Sequence, residues 1–153
     1  MRRKDKEISD RIEMDKILKN AELLHLAMND NGAPYALCVN FGYDGEAIYI
    51  HGADEGRKID ILKGNPEVCF QAYTDYQMVV KKKACHFTAR YRSVVGMGRA
   101  EFLTAPQDKR YGLDILMRQC APGEEYTFGD DVVGRTAVIR IAIESMTGKQ
   151  NGF

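Results

Sequence analysis

Apolar positions change period several times along the chain, and each change marks an element. Ile8, Ile12, Ile17 and Leu18 recur at roughly helical spacing within a charged stretch. With Ser9 or Asp10 able to cap it, an amphipathic helix is predicted from about Asp10 to Asn20. Glu22 to Met28 alternates, with Leu24, Leu26 and Met28 set against His25 and Ala27, and predicts a strand that turns at Asn29-Asp30-Asn31-Gly32. Pro34 to Tyr43 is apolar and strand-like, Asp44-Gly45 makes the next hairpin turn, and Glu46 to Gly52 is a third strand. The period then becomes helical from Asp54 to Gly64, with acidic residues in the first turn and a stop at Gly64-Asn65-Pro66. Glu67 to Tyr73 is a fourth strand, and the Val-, Phe-, Tyr- and Thr-rich stretch from about Ala84 to Leu103 is a long strand or a strand pair. Pro106 to Ala121 is helical, and Arg135 to Ser145 alternates as a final strand. About six strands joined by hairpins, with three helices, predict a mainly β protein: an antiparallel barrel or sheet with peripheral helices, not a doubly wound parallel sheet.

A length of 153 residues fits one domain covering 1–153. The formal net charge is zero, from 22 basic and 22 acidic side chains, so nucleic acid is not an expected partner. No apolar run reaches membrane-spanning length, and the charged start Met1-Arg2-Arg3-Lys4-Asp5-Lys6-Glu7 lacks the apolar stretch of a secretory signal. A cytoplasmic protein with no membrane partner is expected. Cys38, Cys69, Cys85 and Cys120 are widely spaced without a C-x-x-C pair, which predicts buried, reduced thiols and no metal site.

Three segments carry candidate chemistry. In Tyr49-Ile50-His51-Gly52-Ala53-Asp54-Glu55-Gly56-Arg57-Lys58 a strand ends, small residues follow, and a helix opens with two adjacent cations. Unpaired N–H groups and the positive dipole end favour an anion there, and a phosphate monoester is the natural guest beside Gly56, Arg57 and Lys58. Taken alone, the same residues also describe a solvated helix face. Along Pro34-Tyr35-Ala36-Leu37-Cys38-Val39-Asn40-Phe41 a flat heteroaromatic ring could bond backbone amides, although a plain core strand has the same pattern. Cys85 to Gly98 mixes cations and hydroxyls in a β-rich run. Its Gly96-x-Gly98 is followed by Glu101 where a dinucleotide fingerprint needs glycine, so these glycines are expected to mark a bulge or a close backbone approach. His86 next to Cys85 is not a metal or nucleophile pair if both lie on one strand, because neighbours point to opposite faces. Lys81-Lys82-Lys83 reads as a solvated loop, with guidance of an anionic substrate or reduced dinucleotide as the other reading.

Taken in order, these segments resemble the pyridoxamine 5′-phosphate oxidase-like FMN-binding split barrels, and within them the nitroimidazole-resistance flavoprotein branch. The resemblance rests on Pro34-Tyr35 with Val39-Asn40-Phe41-Gly42-Tyr43, on Ile48 to His51 through Gly56 to Asp60, and on Asn65 to Phe70. It continues through Cys85, Tyr91 and Ser93-Val94 to Gly98, and ends at Thr147-Gly148-Lys149. It implies an antiparallel split β-barrel that binds FMN at a two-fold homodimer interface. Arg57 and Lys58 match the family's phosphate-binding pair, with Gly56 before them letting the phosphate approach closely, and Tyr35, Ala36, Leu37, Cys38, Val39 and Asn40 match the strand that lines the isoalloxazine. Arg92 and Ser93 match a polar pair reaching the flavin or its phosphate, and His51 a strand-end position beside the flavin and the open substrate face, where it would act catalytically.

The implied activity is NAD(P)H-linked, FMN-dependent reduction of a small organic acceptor such as a nitroaromatic compound or a quinone. A flavin-binding store or sensor without turnover, or a split barrel using deazaflavin or haem, is the alternative. The oxidases themselves carry an extended C-terminal segment with substrate-contacting basic residues and an Arg near the position of Tyr35. This sequence ends at Phe153 and lacks that Arg, so vitamin B6 oxidation is not the expected activity.

Overall fold

One antiparallel sheet of eight strands builds the molecule, and a one-residue link joins its two free edges. The computed structural model describes residues 3–153; Met1 and Arg2 of the charged N-terminal stretch lie outside the described residues. The strands are β1 (Glu7–Ile8), β2 (Leu24–Asp30), β3 (Ala33–Val39), β4 (Phe41–Tyr43), β5 (Ala47–Ala53), β6 (Glu67–Val79), β7 (Thr88–Phe102) and β8 (Thr136–Asn151). Their order is β3-β2-β6-β7-β8-β5-β4, with β1 paired to β8. The stretch Pro34 to Tyr43, expected as a single strand, breaks at Asn40: its first half pairs with β2 and its second half with β5, at opposite ends of the sheet. The chain itself therefore closes the expected split barrel where no ladder does.

Inward positions follow the period-two pattern. Leu24 and Leu26 on β2, Phe41 on β4, Ile48 and Ile50 on β5, Val68 and Phe70 on β6 and Ile139 and Ile141 on β8 are fully buried in one core. Helix α1 (Arg11–Asn20) closes the core with Met14, Ile17 and Leu18, and the predicted cap is present, since Asp10 Oδ1 accepts from Ile12 N at 3.0 Å. Helix α2 (Arg57–Gly64) buries Ile59, Ile61 and Leu62. Helix α3 (Pro106–Cys120) has Pro106 in its first turn and buries Leu113 and Leu116. Gly96 and Gly98 sit where both expectations meet. The β7–β8 register shifts between Met97 and Gly98, and a Cβ on Gly96 would fall 2.2 Å from the Phe70 ring.

Several boundaries differ from the sequence reading. Helix α2 starts at Arg57, not Asp54, because Gly56 takes φ 108°, outside the helical region. Strands β6 and β8 run on past Tyr73 and Ser145, held by a long partner, β7. Ile8 belongs to β1, paired with Gly148, and Asp130–Arg135 forms a short helix, α4, that the pattern did not reveal. Ala84–His86 is a short 3₁₀ turn, so Cys85 and His86 do not lie on one strand as supposed. Lys81, Lys82 and Lys83 are exposed in the loop between β6 and β7. The cysteines are not buried: Cys38, Cys85 and Cys120 are exposed and Cys69 is partly so, because they occupy an outward strand position, a turn and a helix end. Among the described residues, no helix is long and apolar enough to cross a membrane.

Candidate functional site

Strand β5 delivers His51, Gly52 and Ala53 to the barrel surface, and three residues later the chain enters α2. The positive φ of Gly56 is a conformation that costs glycine nothing. The carbonyl of Gly56 accepts from Ile59 N at 2.8 Å and Asp60 N at 3.1 Å, and no side chain caps the helix. The two amides before these, of Arg57 and Lys58, are thus left open to an anion, with the cationic side chains of the same residues beside them.

The two cations are held differently. Lys58 Nζ donates to the carbonyl oxygen of His51 at 3.3 Å. A Cβ on Gly52 would fall 2.8 Å from that ammonium, so the absence of a side chain gives Lys58 its path. Burial lowers the Lys58 pKa, and burial followed by the Lys58 charge lowers that of His51, although the His51 side chain reaches solvent. Both effects favour the neutral imidazole of His51. Arg57 donates from Nε to Asp30 Oδ2 at 3.0 Å, its Nη2 lies 2.9 Å from the same oxygen, and its Cζ sits 4.4 Å from the centre of the Tyr35 ring.

The residues expected to line a planar ring divide between two faces of β3. Tyr35, Leu37 and Val39 point inward against the core, whereas Ala36 and Cys38 face out, and Asn40, just past the strand, is exposed. The outward row continues across the sheet in register: Cys38 opposite His25, His25 opposite Gln71, and Gln71 opposite Val95. Beside it lies a cleft of about 520 Å³ lined by Gln71, Tyr73, Tyr91, Ser93, Val95 and Lys149. Tyr73, Val95 and Met97 are left substantially exposed on this side.

Arg92 and Ser93, expected to act as a pair, line two different clefts. Ser93 faces the cleft just described. Arg92 lines an adjoining cleft of about 650 Å³ between α1 and β6, which shares Tyr73 with the first. There its Nη1 lies 2.9 Å from Asp75 Oδ2 and its guanidinium covers the Phe153 ring at 3.9 Å. Asp30, Gly52, Gln71 and Lys149 were not among the expected site residues, although Gly52 and Lys149 lie in segments the sequence points to. Asp30 reads only as a turn residue, and nothing local ties it to Arg57.

Residues 10–150 match the family model for pyridoxamine 5′-phosphate oxidase. No curated protein sequence matches the chain. A candidate 5-nitroimidazole antibiotic resistance protein from Bacteroides thetaiotaomicron is 30% identical with a TM-score of 0.85, over 94% of this chain and 86% of that one. An FAD and heme binding protein from Mycobacterium smegmatis is 24% identical with a TM-score of 0.87, over 97% and 74% of the two chains. A flavocytochrome from Azotobacter vinelandii is also 24% identical, with a TM-score of 0.86 over 100% and 72%. The last two share the fold.

Proposed function

Because the chain belongs to the pyridoxamine 5′-phosphate oxidase family, on the branch that holds the Bacteroides nitroimidazole-resistance relative, we propose that it is an FMN-dependent oxidoreductase. It would take electrons from NAD(P)H and reduce a small organic acceptor such as a nitroaromatic compound or a quinone. The observation that carries this reading is the open N-terminus of α2 flanked by Arg57 and Lys58 at the end of β5. A phosphate monoester there gains backbone donors, the favourable end of the helix dipole and two cationic side chains.

FMN, when bound, supplies hydride and single-electron chemistry that no side chain of this protein provides. The chain's own residues bind and orient it. Gly56, Arg57 and Lys58 hold the phosphate, and the outward backbone edge of Tyr35 to Asn40, with Ala36, Cys38 and Asn40, lines the ring. A phosphate dianion on Lys58 favours its protonated form and so offsets the loss of hydration that lowers its pKa. His51, whose neutral form is favoured by burial and the Lys58 charge, orients the acceptor and can exchange a proton with it at the open side.

The exposed apolar side chains Tyr73, Val95 and Met97 around the Ser93 cleft support a homodimer in which the partner covers this surface. In that assembly Ser93 reaches the cofactor from its cleft, and Arg92, paired with Asp75, lines the adjoining one. Unpaired thiols at Cys38, Cys69, Cys85 and Cys120 suit a reducing cytoplasm.

The ultraviolet–visible spectrum of the purified protein tests the reading directly. A flavin spectrum that bleaches anaerobically with NADH or NADPH, and returns when a nitroaromatic or quinone is added, is the expected result. A flavin that neither donor bleaches makes the protein a binder without turnover, and a haem spectrum overturns the cofactor assignment.

A further inference from the structure

We propose that Asp30 is a positioning residue for the cofactor phosphate, acting through Arg57; this rests on the reading of the α2 corner given above. Arginine on a protein surface samples many rotamers, and ordering it on binding costs conformational entropy. In this protein the ordering is already done. One edge of the Arg57 guanidinium, Nε and Nη2, is engaged by Asp30 Oδ2, and its flat face lies on the Tyr35 ring. A carboxylate on one edge and an aromatic ring on one face leave few orientations for the group. Its remaining N–H donors stay available for an anion.

Asp30 can do this because its own backbone is fixed. It pairs with Ala33 in the last rung of the β2–β3 ladder, and the turn beyond it is closed by Asn29 Oδ1, which accepts from Gly32 N at 2.6 Å. The carboxylate thus stands on a hydrogen-bonded hairpin facing the first residue of α2. Two effects oppose each other. The charge of Asp30 repels a phosphate, whereas its grip on Arg57 removes an ordering cost. The side chains of Arg57 and Asp30 are 59% and 28% exposed, so water and salt screen the repulsion and the ion pair alike, while the two short contacts to one carboxylate oxygen and the packing on Tyr35 still restrict the guanidinium. Positioning wins.

The test compares FMN with riboflavin, which carries the same ring and ribityl chain without the phosphate. Dissociation constants for both are measured on the full-length protein and on Asp30→Asn, Asp30→Glu and Tyr35→Leu, with circular dichroism to check folding. Asp30→Asn is expected to weaken FMN about five- to tenfold, leaving riboflavin binding where it was, with most of the loss recovered in Asp30→Glu. Tyr35→Leu should lower the same FMN-to-riboflavin ratio, and it carries the comparison if Asp30→Asn does not fold. An Asp30→Asn protein whose preference for FMN is undiminished or greater, or one that loses both ligands equally, overturns the role of Asp30. An unmodified protein that binds FMN no better than riboflavin overturns instead the phosphate corner itself.

Discussion

Lys58 Nζ reaches the carbonyl oxygen of His51 at 3.3 Å, and it does so through the space that a side chain on Gly52 would fill. The ammonium at the start of α2 is thereby anchored to the end of β5. Gly52→Ala should push the lysine off this path without disturbing the ladder, since the conflicting atom is the free end of a flexible side chain. The expected outcome is a folded protein with FMN affinity reduced about three- to tenfold, on the scale of one weakened charged hydrogen bond. Isothermal titration with FMN measures it; unchanged affinity would mean that Lys58 does not hold the phosphate from this position.

Removing both cations is the stronger perturbation. Arg57→Ala with Lys58→Ala should cost about 2–4 kcal/mol in FMN affinity, allowing for the partial exposure of both side chains. Equilibrium dialysis against FMN gives the figure. The core residues Ile59, Ile61 and Leu62 of α2 are untouched, so the melting temperature of the flavin-free protein should change little.

His51 gives a pH signature. Its pKa in the folded protein lies below the ordinary value of 6.5, from burial first and the Lys58 charge second. The unfolded chain therefore takes up a proton more readily than the native protein as pH falls below about 6.5, and stability is lost progressively until the native imidazole also protonates. Above about 6.5 both forms are neutral and His51 contributes no pH dependence. Denaturant unfolding of the flavin-free protein between about pH 5 and 8 should show a decline toward acid that is shallower in His51→Gln. Parallel pH curves for the two proteins would refute the shift.

Gly96→Ala tests the packing beneath the outer face. Phe70, fully buried and directly opposite Gly96 in the β6–β7 register, occupies the space a methyl group would need, and Ser145 O would lie 2.7 Å away on the other side. Backbone on one side and a core ring on the other leave little room to relax. A loss of about 1–3 kcal/mol is expected from urea unfolding, the range for overpacked cores.

Much of this arrangement was legible in the chain because it is local. The cap at Asp10, the turn after Asn29, the strand that ends near Gly52 and the two cations that open α2 all follow from short-range pattern. What escaped depends on partners distant in sequence. No periodicity shows that the apolar run after Pro34 changes edges at Asn40, since both halves are strands and only the identity of the neighbour differs. The reach of β6 and β8 past their apolar stretches is set by pairing with β7 rather than by their own composition. Arg92 and Ser93 matched a family pattern as neighbours in sequence, but they line adjoining clefts, with Arg92 paired to Asp75. Asp30 became visible only once the hairpin and helix that carry it and Arg57 were brought together.

The single-residue link at Asn40 bears on how the molecule assembles and comes apart. Severing the chain there, with new termini at Asn40 and the old ones joined, would leave every hydrogen-bonded rung in place yet release the two outermost strands from each other. Such a permuted protein should keep its strand content while opening preferentially at β3 and β4, so hydrogen exchange would quicken first at those margins. Integrity of the barrel at its seam thus rests on covalent connectivity and on the shared packing of Val39 and Phe41, not on a hydrogen-bonded ladder.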